Sequence, residues 1–175
     1  MREDTKITKV YRFEELSEEA QEKAMERLYE INVDYEWWEN VYEDAKNIGI
    51  RIEGFDLGRG SYCRGQFLQD ELDVAKAILE NHSMICETYK DAYEFVWAMA
   101  EAEYEYRRWY DAAEDEDDFD AGYECPDLLE DFRQAIFEDY RSMLRHEYDY
   151  LTSEEAIRET IDANEYEFTE NGKLY

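Results

Sequence analysis

Carboxylates are the residues whose number and spacing best suit them to chemistry in this chain. Glu94, Glu101 and Glu105 fall at helical intervals in one stretch, and Asp127, Glu130, Asp131, Glu138 and Asp139 in another. Glu114, Asp115, Glu116, Asp117, Asp118 and Asp120 lie between them. Side chains three or four residues apart on a helix stand about 5–6 Å from each other. Successive phosphates of one DNA strand rise about 3.4 Å along the axis, and their through-space spacing is longer. Helices bearing such carboxylates can therefore approximate a phosphate row and meet the basic groove of a nucleic-acid-binding protein. Solvated helix faces also carry runs of charge, so the pattern gains weight only from the charge of the whole chain.

That charge is extreme. The 175 residues hold 48 Asp plus Glu against 19 Lys plus Arg, a net of −29. A magnitude of about 2–8 is ample for the solubility of a small domain, and self-repulsion beyond it works against the compact state. Adaptation to high salt is another source of acidity. Residues 89–151 carry 20 acids and 6 bases, and residues 1–83 carry 20 and 11. Direct nucleic-acid binding is disfavoured, because phosphates are held mainly by Lys and Arg.

Other chemistry fares worse. Residues 115–122 (DEDDFDAG) look like the start of a calcium loop, but such a loop needs Gly sixth and Glu twelfth. Counting from Asp115, those places hold Asp120 and Pro126. His82 and Cys86 are four residues apart and Cys63 could join them as zinc ligands. A closed site needs a fourth ligand, and only His146 and Cys125 remain, far off in the chain. The same Cys63, His82 and Cys86 are the residues on which a small metal-dependent enzyme would rest. GxSxG, P-loop, GxGxxG and HExxH patterns are missing. We expect no catalytic residues, no metal and no cofactor.

Tyr104, Tyr106, Trp109 and Tyr110 cluster beside the acids. Base-stacking platforms use aromatics within a basic groove, which this stretch lacks. Aromatics next to acids suit an arginine-rich partner, through cation–π contact and ion pairing.

The elements that must position these residues follow from periodicity. At 44% apolar and 16% aromatic residues, the chain can bury a core, and its length suggests one domain, residues 1–175. Residues 6–13 read as a short strand. Ser17 is an N-cap for a helix to about residue 31. A second helix is expected over residues 34–48, with Trp37, Trp38, Val41, Tyr42 and Ala45 inward, and Gly49 at its C-cap. Residues 50–55 and 61–67 form a β-hairpin, with Gly54 marking a bulge. Helices follow over residues 70–81, 84–112 and 126–150. Ile85, Tyr89, Ala92, Val96 and Met99 stripe the second of these, and Leu129, Phe132, Ile136, Tyr140 and Met143 the third. The last two should form an antiparallel pair. Thr152 and Glu155 read as a capping box for a short helix, and Asn171-Gly172 as a terminal turn. The expected class is α+β: mostly helical, with a long antiparallel helix pair and a small antiparallel sheet.

Three cysteines without a CxxC pair point to reduced thiols and a cytoplasmic setting. The N-terminus has no apolar leader-like run, and no apolar run is long enough for a membrane span.

Three stretches resemble a family of small acidic proteins of bacteriophages and prophages: VYRFEELSEEAQEKA (residues 10–24), INVDYEWWENVYEDAKNIGI (31–50) and EYEFTENGKLY (165–175). The resemblance implies a phage accessory protein acting in the cytoplasm of a bacterial host, and brings no catalytic residue with it. In composition the chain resembles DNA-mimic inhibitors of host defence, the anti-restriction and anti-CRISPR proteins. The expected partner is a host protein with a basic nucleic-acid-binding groove. A homodimer would extend the acidic surface, although nothing in the sequence demands one. A structural or regulatory phage protein with incidental acidity, binding through its hairpin or aromatics, is the alternative.

Overall fold

The computed structural model describes residues 9–111 and 125–175. The fold is α+β, as expected: six helices and two small antiparallel sheets of two strands each among the described residues. The described residues group into two compact units, one within residues 1–38 and 145–175 and the other within residues 39–144.

The first unit begins with β1 (Tyr11–Arg12), which runs through a 3-10 turn (Phe13–Glu15) into α1 (Glu18–Arg27). Ser17 caps α1 by accepting from the Ala20 amide. Periodicity extends this helix to about residue 31, but it ends at Arg27. The buried Asn32 overrides the pattern: its amide donates to Leu151 O at 3.0 Å, and Thr160 Oγ1 donates to its Oδ1 at 2.7 Å. The expected second helix likewise starts late. Trp37 is buried ahead of it, edge-on to Trp38 and tilted on Tyr148, instead of lining its stripe.

The unit closes with α6 (Glu154–Ala163) and β4 (Glu167–Phe168). Ser153, not Thr152, caps α6, accepting from Ala156 N, while Thr152 donates its hydroxyl to Tyr148 O. β4 pairs with β1, Phe168 opposite Tyr11, and Phe168 also bridges to Leu174 around the expected Asn171-Gly172 turn. Phe13, Leu16, Ala20, Ala24, Ile157, Ile161 and Phe168 form the core.

The second unit holds α2 (Glu39–Asn47), the hairpin β2 (Ile50–Asp56) and β3 (Tyr62–Phe67), α3 (Glu71–Asn81), α4 (Glu87–Asp111) and the greater part of α5 (Pro126–Leu151). Gly49 ends α2 at φ +83°, and the register slips between Ile52 and Gly54, where the bulge was expected. Gly65 faces that bulge so closely that a Cβ would lie 2.0 Å from Arg51 O. Asp70 caps α3 by accepting from the Leu72 and Asp73 amides. α4 starts three residues later than its stripe implied, and Ile85 stands 84% exposed before it. The buried face of α4 is Thr88, Ala92 and Phe95, and that of α5 is Phe132, Ile136 and Tyr140; all but Thr88 share a core with Ile50, Ile52, Val74 and Ile78.

Candidate functional site

The site is built where α4 and α5 run side by side. Phe95 stacks on Phe132 with ring centroids 4.2 Å apart and planes 6° from parallel. One turn earlier on α4 and two turns later on α5, Asp91 meets Asp139. The two contacts run in opposite senses along the helices, so the pair is antiparallel. Between the helices lies a groove of about 230 Å³. Phe95, Phe132 and Leu128 make its floor, and Ala98 and Ala135 leave it open. Asp91, Glu94 and Asp131 stand on its rim.

Asp91 and Asp139 have unusual electrostatics. Both are half-buried, and burial raises both carboxyls above their ordinary range. Like charge adds to this, from Glu94 and Glu87 at Asp91, and from Asp91, Glu87 and Glu138 at Asp139. Asp139 is pushed up to about 7. The hydrogen bond between them raises Asp139 and lowers Asp91, so Asp139 holds the proton and Asp91 the charge. Asp139 Oδ2 is buried without a hydrogen-bond partner among the described residues.

Of the expected acids, Glu94 and Asp131 stand on the groove itself. Glu94 and Glu101, seven apart, are exposed on one flank of α4, with Glu105 next in the row. Asp127 and Asp131 are exposed, four apart, on the facing flank of α5, whereas Glu138 lies towards the hairpin. Glu94, Glu101, Asp127 and Asp131 form no ion pair with a described residue. Glu105 is paired with Arg108 at 3.4 Å and Glu138 with Arg141. Such exposed pairs are worth little, so those carboxylates stay available. Glu130 also lies on the hairpin side of α5 and pairs with Arg133. Glu114, Asp115, Glu116, Asp117, Asp118 and Asp120 lie outside the described residues.

The aromatic expectation moves along α4. Tyr106 is half-buried and takes part in other contacts. The side chains of Trp109 and Tyr110 lie outside the described residues. Of the expected cluster Tyr104 is exposed, and so are Tyr93 and Trp97, the last by 65%. Their spacings of four and seven put them on one outward stripe beside Glu94 and Glu101. That spacing was present in the sequence and could have located Tyr93 and Trp97.

Two other places have the residues for chemistry. A cavity of about 510 Å³ between β3 and α5 draws Arg64, Arg133 and Arg141 together. Arg133 already pairs with Glu71 and Glu130, Arg141 with Glu138, and Arg64 lies over the Tyr62 ring. Two of the three cations are therefore matched by carboxylates. Burial pushes the nearby Cys63 thiol up to about 11, which leaves it an inert thiol rather than a nucleophile.

The second place is His82. Its Nδ1 lies 2.8 Å from Thr88 Oγ1 and its Nε2 3.4 Å from Asp44 Oδ1, and Tyr140 Oη donates to Asp44 Oδ2 at 2.8 Å. Cys86 Sγ lies 3.2 Å from Thr88 Oγ1. A hydroxyl, an imidazole and a carboxylate in sequence resemble a nucleophilic triad. However, Thr88 is fully buried, so no substrate reaches it. The network ties α2, α3, α4 and α5 together. Among the described residues no group of three or more His, Cys, Asp or Glu is arranged to hold a metal. No helix among them is long and apolar enough to cross a membrane.

No protein-family model, curated protein or solved structure matches this chain. The α4–α5 groove and its carboxylates must therefore be interpreted on their own chemistry.

Proposed function

We propose that this protein is a phage-type accessory protein that binds, through the acidic α4–α5 face, the basic nucleic-acid groove of a bacterial host protein, and so inhibits a nucleic-acid-handling defence. It acts by steric and electrostatic competition and needs no catalytic residue. Its acidic rows stand in for phosphates, and the field of a −29 chain would steer a basic partner towards it.

The observation that carries this reading is the Asp91–Asp139 pair. Acidity that serves only solubility or salt tolerance places carboxylates in water, where each costs little. Here two are half-buried against each other, with Glu87 adding repulsion. A lysine or arginine brought alongside would relieve that repulsion and let both carboxyls ionise. In the free protein a proton on Asp139 holds the pair together, and a docked cation would take its place.

The decisive test is capture from a bacterial lysate on the tagged protein at about 0.1 M and about 0.5 M salt, with and without added DNA. Exposed charge contacts weaken as the Debye length shrinks from about 10 Å. A partner that handles nucleic acid, weakens in salt, is displaced by DNA and is lost on joint reversal of Glu94, Glu101, Asp127 and Asp131 to Lys supports the reading. A partner indifferent to salt, to DNA and to that reversal sinks it.

The exposed Tyr93, Trp97 and Tyr104 favour a second reading. In it the protein is a structural or regulatory interaction module whose contact is aromatic and whose acidity is incidental. Binding would then fall with Trp97→Ala and hardly with salt.

A further inference from the structure

The groove between α4 and α5 is more than a gap in an acidic surface. Its floor is aromatic and aliphatic, from Phe95, Phe132 and Leu128, and its opening is set by two alanines. Leucine-sized residues at Ala98 and Ala135 would close it. Helix pairs normally fill such a seam, because interiors pack to crystal-like density. At about 230 Å³ the groove is smaller than the roughly 300–1,000 Å³ of small-molecule pockets. It has the scale of a side chain.

Its surroundings select the occupant. Asp91, Glu94 and Asp131 ring the opening, and no cation among the described residues lines it. Glu101 and Asp127 continue the two rows beyond the rim. A second copy of this chain would bring −29 against −29, and anionic lipid or nucleic acid would be repelled likewise. An apolar side chain flanked by lysine or arginine satisfies both floor and rim. Pockets of this kind, desolvated at the centre and polar at the edge, carry much of the binding energy in protein interfaces.

We infer that the α4–α5 groove is an anchor pocket for a single aliphatic side chain held within a basic segment of the partner. This rests on the proposed function and narrows it. The partner's groove would offer not charge alone but a leucine- or isoleucine-sized residue between its basic side chains. Phosphate mimicry by the rows supplies steering, and the pocket supplies selectivity among basic proteins.

The test uses the full chain and two synthetic peptides of identical charge, each with three arginines on either side of one central residue. One carries Leu at the centre and the other Gly. Titration calorimetry at about 0.15 M salt should give at least tenfold tighter binding of the Leu peptide. Ala135→Phe, or Ala98→Phe from the opposite wall, should abolish that preference. Unchanged circular dichroism would confirm that each filled variant is folded. Glu94→Lys with Asp131→Lys should weaken both peptides. Equal affinity of the two peptides for the native chain, or a preference that survives both fillings, would overturn the anchor pocket. If the rim reversal still weakens both, the acidic face stands without the pocket. If neither peptide responds to rim reversal or to salt, the proposed function falls with it.

Discussion

Asp91 and Asp139 face each other across two antiparallel helices, and Asp139 keeps the proton that lets them do so. That contact has a measurable consequence, because a carboxyl raised in the folded state couples folding to proton uptake.

The folded Asp139 titrates at about 7, against an ordinary 3.8. The stability from its protonated form is complete below about pH 4 and is lost as pH rises through about 7. Asp139→Asn keeps a donor without the titration. Because Asp139 is half-exposed, screening holds the effect to about 1 kcal/mol, or roughly 2–4 °C in a chain of this size. Thermal melts should show the variant gaining at pH 8.5 and not at pH 4. A gain independent of pH would mean the pair does not share a proton.

The Asp44 network predicts the opposite slope. Its hydrogen bond with His82 leads in holding its carboxyl below the usual range, against burial, and the Tyr140 hydroxyl adds to this. That stability is present above about pH 4 and lost as pH falls through the depressed value. Tyr140→Phe removes a hydrogen bond to a charged group, which costs about 1.5–3 kcal/mol. Urea denaturation at pH 7 should register that loss, and the gap from the native chain should narrow on acidification. An equal deficit at pH 7 and pH 3 would count against an ionised Asp44 as the acceptor.

Gly172 sits at φ +72°, with its hypothetical Cβ 2.1 Å from Ala20 O. Alanine there meets both the left-handed penalty, about 1–2 kcal/mol, and a backbone clash. Gly172→Ala should cost about 2 kcal/mol or more. Hydrogen exchange should quicken in α1 and the terminal hairpin, and a variant with native protection there would contradict the close approach.

The start of α6 separates two neighbouring hydroxyls. Ser153→Ala should cost about 1 kcal/mol, the usual value of an N-cap. The cap bond should be read from faster exchange of the Ala156 amide. Thr152→Ser, which keeps the hydroxyl that donates to Tyr148 O, should leave that amide unchanged. Faster Ala156 exchange in the Thr152 variant would return the cap to Thr152.

Much of the fold was legible because it is written in local chemistry. Ser17 and Asp70 announced helix starts, Pro126 sat at the first turn of α5, and Gly49 and Gly54 marked a cap and a bulge. These are effects of the backbone and its nearest neighbours. The sequence pattern erred where a distant partner overruled a local preference. Asn32 ended a helix by bonding Leu151 and Thr160, and Trp37 left its expected stripe to pack on Tyr148.

By itself, the sequence determined the charge, the missing catalytic motifs and the two long amphipathic helices, since each is a property of residue type and period. Only the tertiary structure decided which carboxylates share a face. Helical spacing places Glu130 and Asp131 one residue apart, and their sides of α5 differ by the 100° that one residue turns. That rotation sends Asp131 to the groove and Glu130 to the hairpin side. Asp91 and Asp139 are 48 residues apart, and no period links them. They meet because Phe95 stacks on Phe132 and fixes the register of the two helices.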